Sequence, residues 1–161
     1  MDRATRVIRS GSWAQPPADR ITLTYDERHR RRLRFVAEGG TEFLLDLPRT
    51  TVLRGGDGLA LEDGRIILVA DALEPLLEVT AADAQQLARL AWHIGNRHLP
   101  AQICAGRILI REDTVIQDML QGLGAGVRHV SEGFSPEPGA YANSHSLLLA
   151  PHGVGHGHDH A

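Results

Sequence analysis

Cysteine and aromatic residues are scarce in this chain of 161 residues. The single cysteine, Cys104, excludes an internal disulfide and any zinc site built from several thiolates. Its neighbours Ile103 and Ala105 are apolar, which predicts a buried and unreactive thiol. Aromatic residues contribute 4% of the chain and apolar residues as a whole 42%, so the core is expected to be mainly aliphatic.

Long apolar runs and a strong net charge are also missing. No stretch approaches the roughly 20 apolar residues of a membrane-spanning helix. Residues 1–9 are charged and are not followed by the apolar segment of a secretory signal. The net charge of −3, with histidine neutral, predicts no general attraction to nucleic acid or anionic lipid. These absences predict a cytoplasmic protein that binds neither nucleic acid nor membranes.

Recognisable catalytic motifs are absent as well. The sequence contains neither the Gly-x-Ser-x-Gly turn of serine hydrolases nor the glycine-rich loop that cradles phosphates. Acidic pairs occur at 62–63 and 112–113, at a turn and at a helix start, where they have structural explanations. No general base accompanies the histidines, so we predict that the chain is not an enzyme.

The first half of the sequence is typical of β structure. The strand-like runs are residues 20–25, 32–37, 41–47, 59–61 and 66–69. Turn signals separate them: the glycine pair 39–40 and the Asp-Gly pairs 57–58 and 63–64. Pro48 is expected to end its strand because proline cannot donate to a ladder. Short strands with regular turns favour a small barrel or sandwich.

The second half alternates strands with helices. Apolar residues at helical spacing from 84 to 94 predict one helix, capped by Thr80 and ended by Gly95 and Asn96 in left-handed conformations. A second helix is predicted to begin at Thr114, its own cap, and to end at a pair of glycines. The predicted strands are residues 76–79, 101–105, 107–111 and 127–130. This β-α-β-β-α-β order is the ferredoxin-like arrangement, with both helices on one face of an antiparallel sheet.

The predicted fold class is therefore α+β, with two domains and a tail. A β-rich N-terminal barrel or sandwich is expected over residues 1–72, and a ferredoxin-like domain over residues 73–142. Glycine, proline, serine and histidine become frequent from residue 133, and residues 143–161 are expected to form a flexible, histidine-rich tail.

Histidine is the residue in excess: the chain has nine, and four lie in the last eleven residues. Those four are His152, His156, His158 and His160. Neutral imidazole suits nickel, copper and zinc. Intervening glycine would let two or more rings reach one ion. An expression tag would be an uninterrupted histidine run, so this pattern predicts a native metal-capturing tail without selecting the metal.

The remaining histidines carry weaker signals. His93 lies on the first predicted helix and His98 just beyond its end, and geometry alone leaves each open between a ligand and a surface or capping histidine. His145 is a candidate auxiliary ligand at the start of the tail. His29, in a basic run, and His129, in a strand, are expected to be structural.

The basic run at residues 28–34, RHRRRLR, suggests nucleic-acid binding as an alternative. Ferredoxin-like domains also bind RNA, by stacking bases on aromatic side chains of the sheet. The predicted strands 76–79 and 107–111 contain no aromatic residue, so that platform is missing. The run is better interpreted as a solvated strand face or as a docking patch for an acidic protein.

Residues 92–100, WHIGNRHLP, resemble the Gly-Asn-Arg-His motif of UreE, the nickel chaperone family of urease assembly. Residues 47–49, 53–57 and 62–64 resemble the N-terminal domain of that family, and residues 117–120 and 137–141 resemble later motifs. The similarity extends in order over nearly the whole chain. It implies a β-rich first domain and a ferredoxin-like second domain.

The resemblance also implies a metal site and partners. Members form homodimers through the second domain, and His98 would lie near the two-fold axis, where it meets its own copy. The paired rings would bind Ni(II), and Zn(II) or Cu(II) could use the same nitrogen ligands. Histidines of the tail would complete the shell, with His93 and His145 as further candidates. The implied partners are the urease apoprotein and the urease accessory GTPase complex.

Three alternatives remain at this stage. A histidine-rich buffer or store for nickel, zinc or copper would bind the same ions without serving a dedicated client. An RNA-binding module would show salt-sensitive binding. A metal-dependent hydrolase is opposed by the lack of a general base.

Overall fold

The computed structural model describes residues 1–139, which form ten strands and two helices. The first half contains β1 (Asp2–Ile8), β2 (Asp19–Leu23), β3 (His29–Val36), β4 (Glu42–Val52), β5 (Gly58–Leu61) and β6 (Ile66–Asp71). The second half contains β7 (Leu73–Thr80), α1 (Ala84–Asn96), β8 (Ala101–Cys104), β9 (Arg107–Arg111), α2 (Thr114–Gly122) and β10 (Gly126–Gly133).

The first six strands form one curled sheet in the order β2-β6-β5-β1-β4-β3. Neighbours are antiparallel except for two parallel pairs, β1 with β4 and β2 with β6. The inward side chains meet in one core that includes Leu45 and Ile67 together with two phenylalanines, as the aliphatic composition predicted. The two edge strands of the sheet, β2 and β3, approach each other. The amide of Glu38, just after β3, donates to the carbonyl of Arg20 in β2 at 2.9 Å.

Three features of this half differ from the sequence analysis. Residues 2–8 form β1, a strand that was not recognised because only Ala4 in it is fully buried. β4 does not end at Pro48 but continues to Val52. Its pairing with β3 is interrupted between Asp46 and Thr51, so Pro48 lies where no neighbouring strand requires an N–H. Gly58 begins β5 instead of completing a turn, whereas the predicted hairpin between β5 and β6 is confirmed.

The last four strands form a second sheet in the order β10-β7-β9-β8, with every neighbouring pair antiparallel. Both helices pack on the same face. Leu90 and Ile94 of α1 and Leu120 of α2 contact sheet residues such as Leu77 and Ile110. The opposite face carries a smaller cluster of Leu76, Leu109 and Phe134. The predicted β-α-β-β-α-β order is thus observed along this half of the chain.

Helix α1 begins later than the sequence suggested, whereas α2 begins at Thr114 as predicted, and in both helices the cap is not the predicted threonine. Thr80 is the last residue of β7, and α1 is capped by Asp83, whose carboxylate accepts from the amide of Gln86 at 2.8 Å. In the same way α2 is capped by Asp113, which accepts from the amide of Ile116 at 3.0 Å. Aspartate replaces threonine in both cases because an ionised carboxylate is a strong acceptor and favours the positive end of the helix dipole.

The two sheets are joined by side chains of both halves. Arg28 was expected on a solvated strand face, but it is 1% exposed and donates to the carbonyl of Phe134 and, at 3.3 Å, to Ser135 Oγ. Its Nη1 lies 3.2 Å from Asp71 Oδ1. Arg111 Nη2 reaches Asp26 Oδ1 at 2.7 Å. The first arginine of the basic run therefore connects the two halves, while Arg30 to Arg34 remain exposed.

Residues 133–139 are part of this packed structure. Gly133 belongs to β10 and Phe134 is fully buried, so the compositional change at residue 133 does not mark the beginning of a loose segment. Neither helix within residues 1–139 is long and apolar enough to cross a membrane.

Candidate metal-binding site

The end of helix α1 has an unusual backbone at His98. Its φ is 56°, and within residues 1–139 it is the one residue other than glycine with positive φ. The amide of His98 donates to the carbonyl of Gly95 at 3.0 Å, and the amide of Leu99 donates to that of Ile94 at 3.5 Å. This is the Schellman pattern, which requires a left-handed residue one place beyond the helix cap. Gly95 and Asn96, predicted to be left-handed, instead lie within the helix.

Helix α2 ends in the same pattern with a different residue. Gly124 has φ of 87°, and its amide donates to the carbonyl of Gln121 at 3.0 Å. The amide of Ala125 donates to that of Leu120 at 3.0 Å. Glycine is the usual residue at this position because a Cβ disfavours the left-handed region by about 1–2 kcal/mol. The chain therefore places histidine at α1 where glycine would be more stable.

The side chain at this position is available to bind. His98 is exposed, as are Asn96 and Arg97 before it. No hydrogen bond from the His98 ring to another side chain is formed within residues 1–139. A left-handed residue whose imidazole has no hydrogen-bond partner among the described residues is a strained position, and such positions are characteristic of functional sites.

His93 has a different environment on the same helix. It is half-buried, its ring contacts the Trp92 ring edge-on at a centroid distance of 5.1 Å, and it lies in the last turn, where a basic residue suits the helix dipole. It lines a cavity of about 380 Å³ together with Arg89 and Leu123. Within the described part of the chain no three metal-ligating side chains come together, so neither His93 nor His98 sits in a complete site formed by residues 1–139.

The two histidines expected to be structural have clear protein partners. His29 Nδ1 is 3.1 Å from the carbonyl of Tyr25, and the two rings meet edge-on at 4.4 Å. His129 Nδ1 is 2.7 Å from Glu112 Oε1, on an exposed part of the sheet. Packing and hydrogen bonding thus account for both residues.

The tail candidates His145, His152, His156, His158 and His160 lie outside residues 1–139. The last described residue, Gly139, lines a groove together with Gly95, Leu99 and Pro100. The chain therefore leaves the described structure beside the loop that carries His98.

Cys104 is not buried as predicted. It is half-exposed at the end of β8 and packs at the margin of the Leu76, Leu109 and Phe134 cluster. Of the two apolar neighbours that suggested burial, Ile103 lies in the edge strand β8, where side chains are covered on one side only, and Ala105 lies in the turn that follows.

A charged network lies on the sheet face opposite the helices. Arg107 donates to Glu78 at 2.9 Å and to both oxygens of Glu132 at 2.6 and 2.8 Å. Hydrogen bonds from Arg128 and Arg107 hold the pKa of Glu78 below its usual value, and Arg107 does the same for the pKa of Glu132. These carboxylates are ionised and fully engaged with arginine, so they serve the sheet and do not supply metal ligands.

Comparison with known proteins identifies the family. The model of the UreE urease accessory protein N-terminal domain matches residues 3–71, and that of the C-terminal domain matches residues 74–161. The chain belongs to the UreE family of urease accessory proteins. The resemblance of the WHIGNRHLP segment is thereby confirmed, and the two halves of the structure are two UreE domains.

Individual members of the UreE family are similar over most of their length. The urease accessory protein UreE of Rhodobacter capsulatus is 51% identical over 160 residues, which cover 99% of this chain and 94% of that protein. The UreE of Chelativorans sp. (strain BNC1) is 56% identical over 142 residues, 88% of this chain and 89% of that protein. The UreE of Bradyrhizobium sp. (strain ORS 278) is 56% identical over 142 residues, 88% of this chain and 68% of that protein. All three relatives are named as accessory proteins.

Proposed function

We propose that this protein is a nickel metallochaperone that binds Ni(II) and delivers it for assembly of the urease active site, without being an enzyme itself. Membership of the UreE family supports an accessory role in urease maturation. The observation that carries the metal-binding part is His98, an exposed imidazole held at the end of α1 in a backbone conformation that favours glycine. Imidazole nitrogen is a suitable ligand for nickel, and also for zinc and copper.

One histidine is too few for a stable site, so the proposal includes a homodimer. In a two-fold dimer formed through the second domain, a residue close to the axis faces its own copy, and two His98 rings would supply two nitrogens. The strand order and the helices on one face support assignment of this domain as ferredoxin-like. Histidines 152, 156, 158 and 160 of the tail would complete the coordination shell, with His93 and His145 as further candidates.

Delivery requires that the ion can leave as well as bind. A shell completed by histidines of the tail can exchange one nitrogen at a time for a ligand of the recipient, whereas a closed site favours retention. Imidazole must be neutral to bind, so the affinity should fall below about pH 6 as protons compete with the metal. The recipient in this proposal is the urease apoprotein in complex with the urease accessory GTPase.

The experiment is titration of the metal-free chain with Ni(II) by calorimetry. The informative variant is His98→Gly, because glycine fits the left-handed backbone and removes the imidazole without straining the helix end. A chain ending at Leu149 removes the four terminal histidines. His129→Gln is the matched control, since that histidine is exposed and is accounted for by Glu112.

We expect His98→Gly to abolish the tightest site, the shortened chain to bind fewer ions or to bind more weakly, and His129→Gln to bind like the intact chain. If His98→Gly binds nickel normally and shortening alone matters, the chain is instead a metal buffer that uses its tail. A second assay separates these functions: the intact protein should increase the activation of apo-urease by nickel, whereas a buffer without a client would not.

A further inference from the structure

A groove next to the His98 loop is open in residues 1–139. It has a volume of about 290 Å³ and is bordered by Ala91, Ile94 and Gly95 of α1 and by Ile103 of the edge strand β8. Pro138 and Gly139 form part of its rim. Apart from Glu137 the lining is apolar, and Ile103 is 52% exposed. A large aliphatic side chain beside a concave apolar surface indicates a surface that is covered by another group.

The chain itself leads to this groove. After β10, at one edge of the second sheet, Phe134 crosses the face opposite the helices and is fully buried. The amide of Ser135 then donates to Gln102 Oε1 at 2.9 Å, and the amide of Glu137 donates to the carbonyl of Ala101 at 2.8 Å. Residues 134–137 thus reach β8, at the other edge of the sheet, and pair with it.

Gly95 keeps the groove open on the helix side. Glycine inside a helix is less favourable than alanine by about 0.5–1 kcal/mol. A Cβ at Gly95 would meet no atom within 4 Å, so packing in residues 1–139 does not require glycine there. The missing side chain leaves space that residues 1–139 do not fill.

We propose that residues 140–149 of the same chain occupy this groove, with the ring of Tyr141 inserted between Gly95 and Ile103. Residues 140–142 are Ala-Tyr-Ala and residues 147–149 are three leucines, so the segment supplies apolar side chains for an apolar surface. Tyr141 is two residues beyond the rim at Gly139, and two residues span at most about 7 Å. A segment attached at the rim has an effective concentration in the millimolar range, which favours it over a second molecule.

This packing has a consequence that depends on the proposed function. His145 is four positions beyond Tyr141, a distance of at most about 14 Å in extended chain. A docked segment would hold His145 beside His98 of the same protomer. The residues that lead to the terminal histidines would start from the same place. The groove would then act as a positioning device for the tail, separate from the metal ligands.

The test uses metal-free, full-length protein with labelled isoleucine methyl groups, so its result does not depend on nickel binding. We expect a nuclear Overhauser contact between the Ile103 methyl and the Tyr141 ring in the intact chain. The contact should vanish in Tyr141→Ser and in a chain ending at Gly139, and the Ile103 signal should shift. Ile21, buried in the first domain, should not respond.

Two glycine variants provide matched controls. Gly95→Leu should fill the groove and abolish the contact between Ile103 and Tyr141. Gly122→Leu also adds a side chain to a helical glycine with open space around it, but away from the groove, and should preserve the contact. Tyr141→Ser leaves every contact within residues 1–139 unchanged, so it keeps the test valid if Gly95→Leu does not fold.

Two results would overturn the proposal. One is an Ile103 signal that is the same in the intact chain and in the chain ending at Gly139. The other is a signal that changes on dilution but not on shortening, since a second copy of the protein would then cover the groove. If the contact with Tyr141 is found and nickel does not bind, the packing of the segment stands and the proposed function fails alone.

Discussion

Helices α1 and α2 end in the same hydrogen-bond pattern but carry different residues at its left-handed position. In α2 this residue is Gly124, which adopts a φ of 87° without a steric penalty. In α1 it is His98, with a φ of 56° and a penalty of about 1–2 kcal/mol. The second domain thus contains one helix end with the more stable residue at the left-handed position and one with a less stable residue. The stability of the helix end therefore explains the residue at Gly124 but does not explain the residue at His98.

The beginnings of the two helices provide the contrasting case. Asp83 and Asp113 cap α1 and α2 with the same side-chain hydrogen bond, to the amide three residues on. At the helix starts, where neither residue is a candidate ligand, the chain uses the same favourable residue twice. The asymmetry is confined to the helix ends.

The largest effect is expected from exchanging the two residues. The double variant His98→Gly with Gly124→His keeps the composition and puts the imidazole at the other helix end. Because a paired site requires the ring near the two-fold axis, we expect the tightest nickel site to be lost, as in His98→Gly alone. Calorimetry with Ni(II) measures this. Recovery of tight binding by the exchange would mean that any exposed helix-end histidine suffices.

The next effect concerns stability at α2. Gly124→Ala forces a Cβ into the left-handed region and brings it within 3.0 Å of Gln86 Nε2, whose hydrogen bond to the Leu123 carbonyl would be disturbed. We expect a loss of about 1–2 kcal/mol in the free energy of unfolding, measured by urea denaturation. An unchanged stability would show that the left-handed penalty is absorbed locally, and the argument about His98 would lose its basis.

The helix caps should behave alike. Asp83→Ala and Asp113→Ala each remove one capping hydrogen bond and a favourable charge at the helix start. Each is expected to cost about 1 kcal/mol of unfolding free energy. The two variants are compared by denaturation under identical conditions. A large difference between them would show that the helices differ along their whole length and not only at the ends.

The smallest effect has the opposite sign. His98→Gly should raise the free energy of unfolding of the metal-free protein by about 0.5–1 kcal/mol, because the relief of backbone strain exceeds the entropy that glycine adds to the unfolded chain. Thermal unfolding in the presence of a chelator provides the measurement. His98→Ala is the control and should not stabilise, since alanine keeps the Cβ. A destabilised glycine variant would mean that the imidazole supports the fold.

Local patterns predicted much of the second domain. The apolar stripe from 84 to 94 identified α1, and Leu90 and Ile94 of that stripe are its buried residues. The strands around Gly106, and in the first domain the hairpin at Asp63, followed from turn residues and alternation. Such patterns are informative because each residue of a helix or strand faces either the core or the solvent. The spacing at which apolar residues recur then distinguishes a helix from a strand.

Residues whose environment depends on distant partners were misjudged. β1 was overlooked because its side chains are mostly exposed, although its backbone pairs with both β4 and β5. The sequence predicted Thr80 as the cap of α1, but β7 extends to Thr80 and the helix is capped by Asp83. For the candidate site, the motif at residues 92–100 indicated His98, but nothing in its local sequence indicated the left-handed backbone.

The sequence by itself determined the aliphatic core, the positions of most strands and both helices, the accumulation of histidine after residue 144 and the family resemblance, because these properties depend on composition and short-range order. Tertiary structure alone decided three others: the burial of Arg28, the packing of Phe134, and the position of Gly139 beside the His98 loop. Arg28 lies in a run of exposed arginines, and its burial is favourable because the Phe134 carbonyl and the Ser135 hydroxyl of the second domain accept from it and the Asp71 carboxylate lies 3.2 Å away.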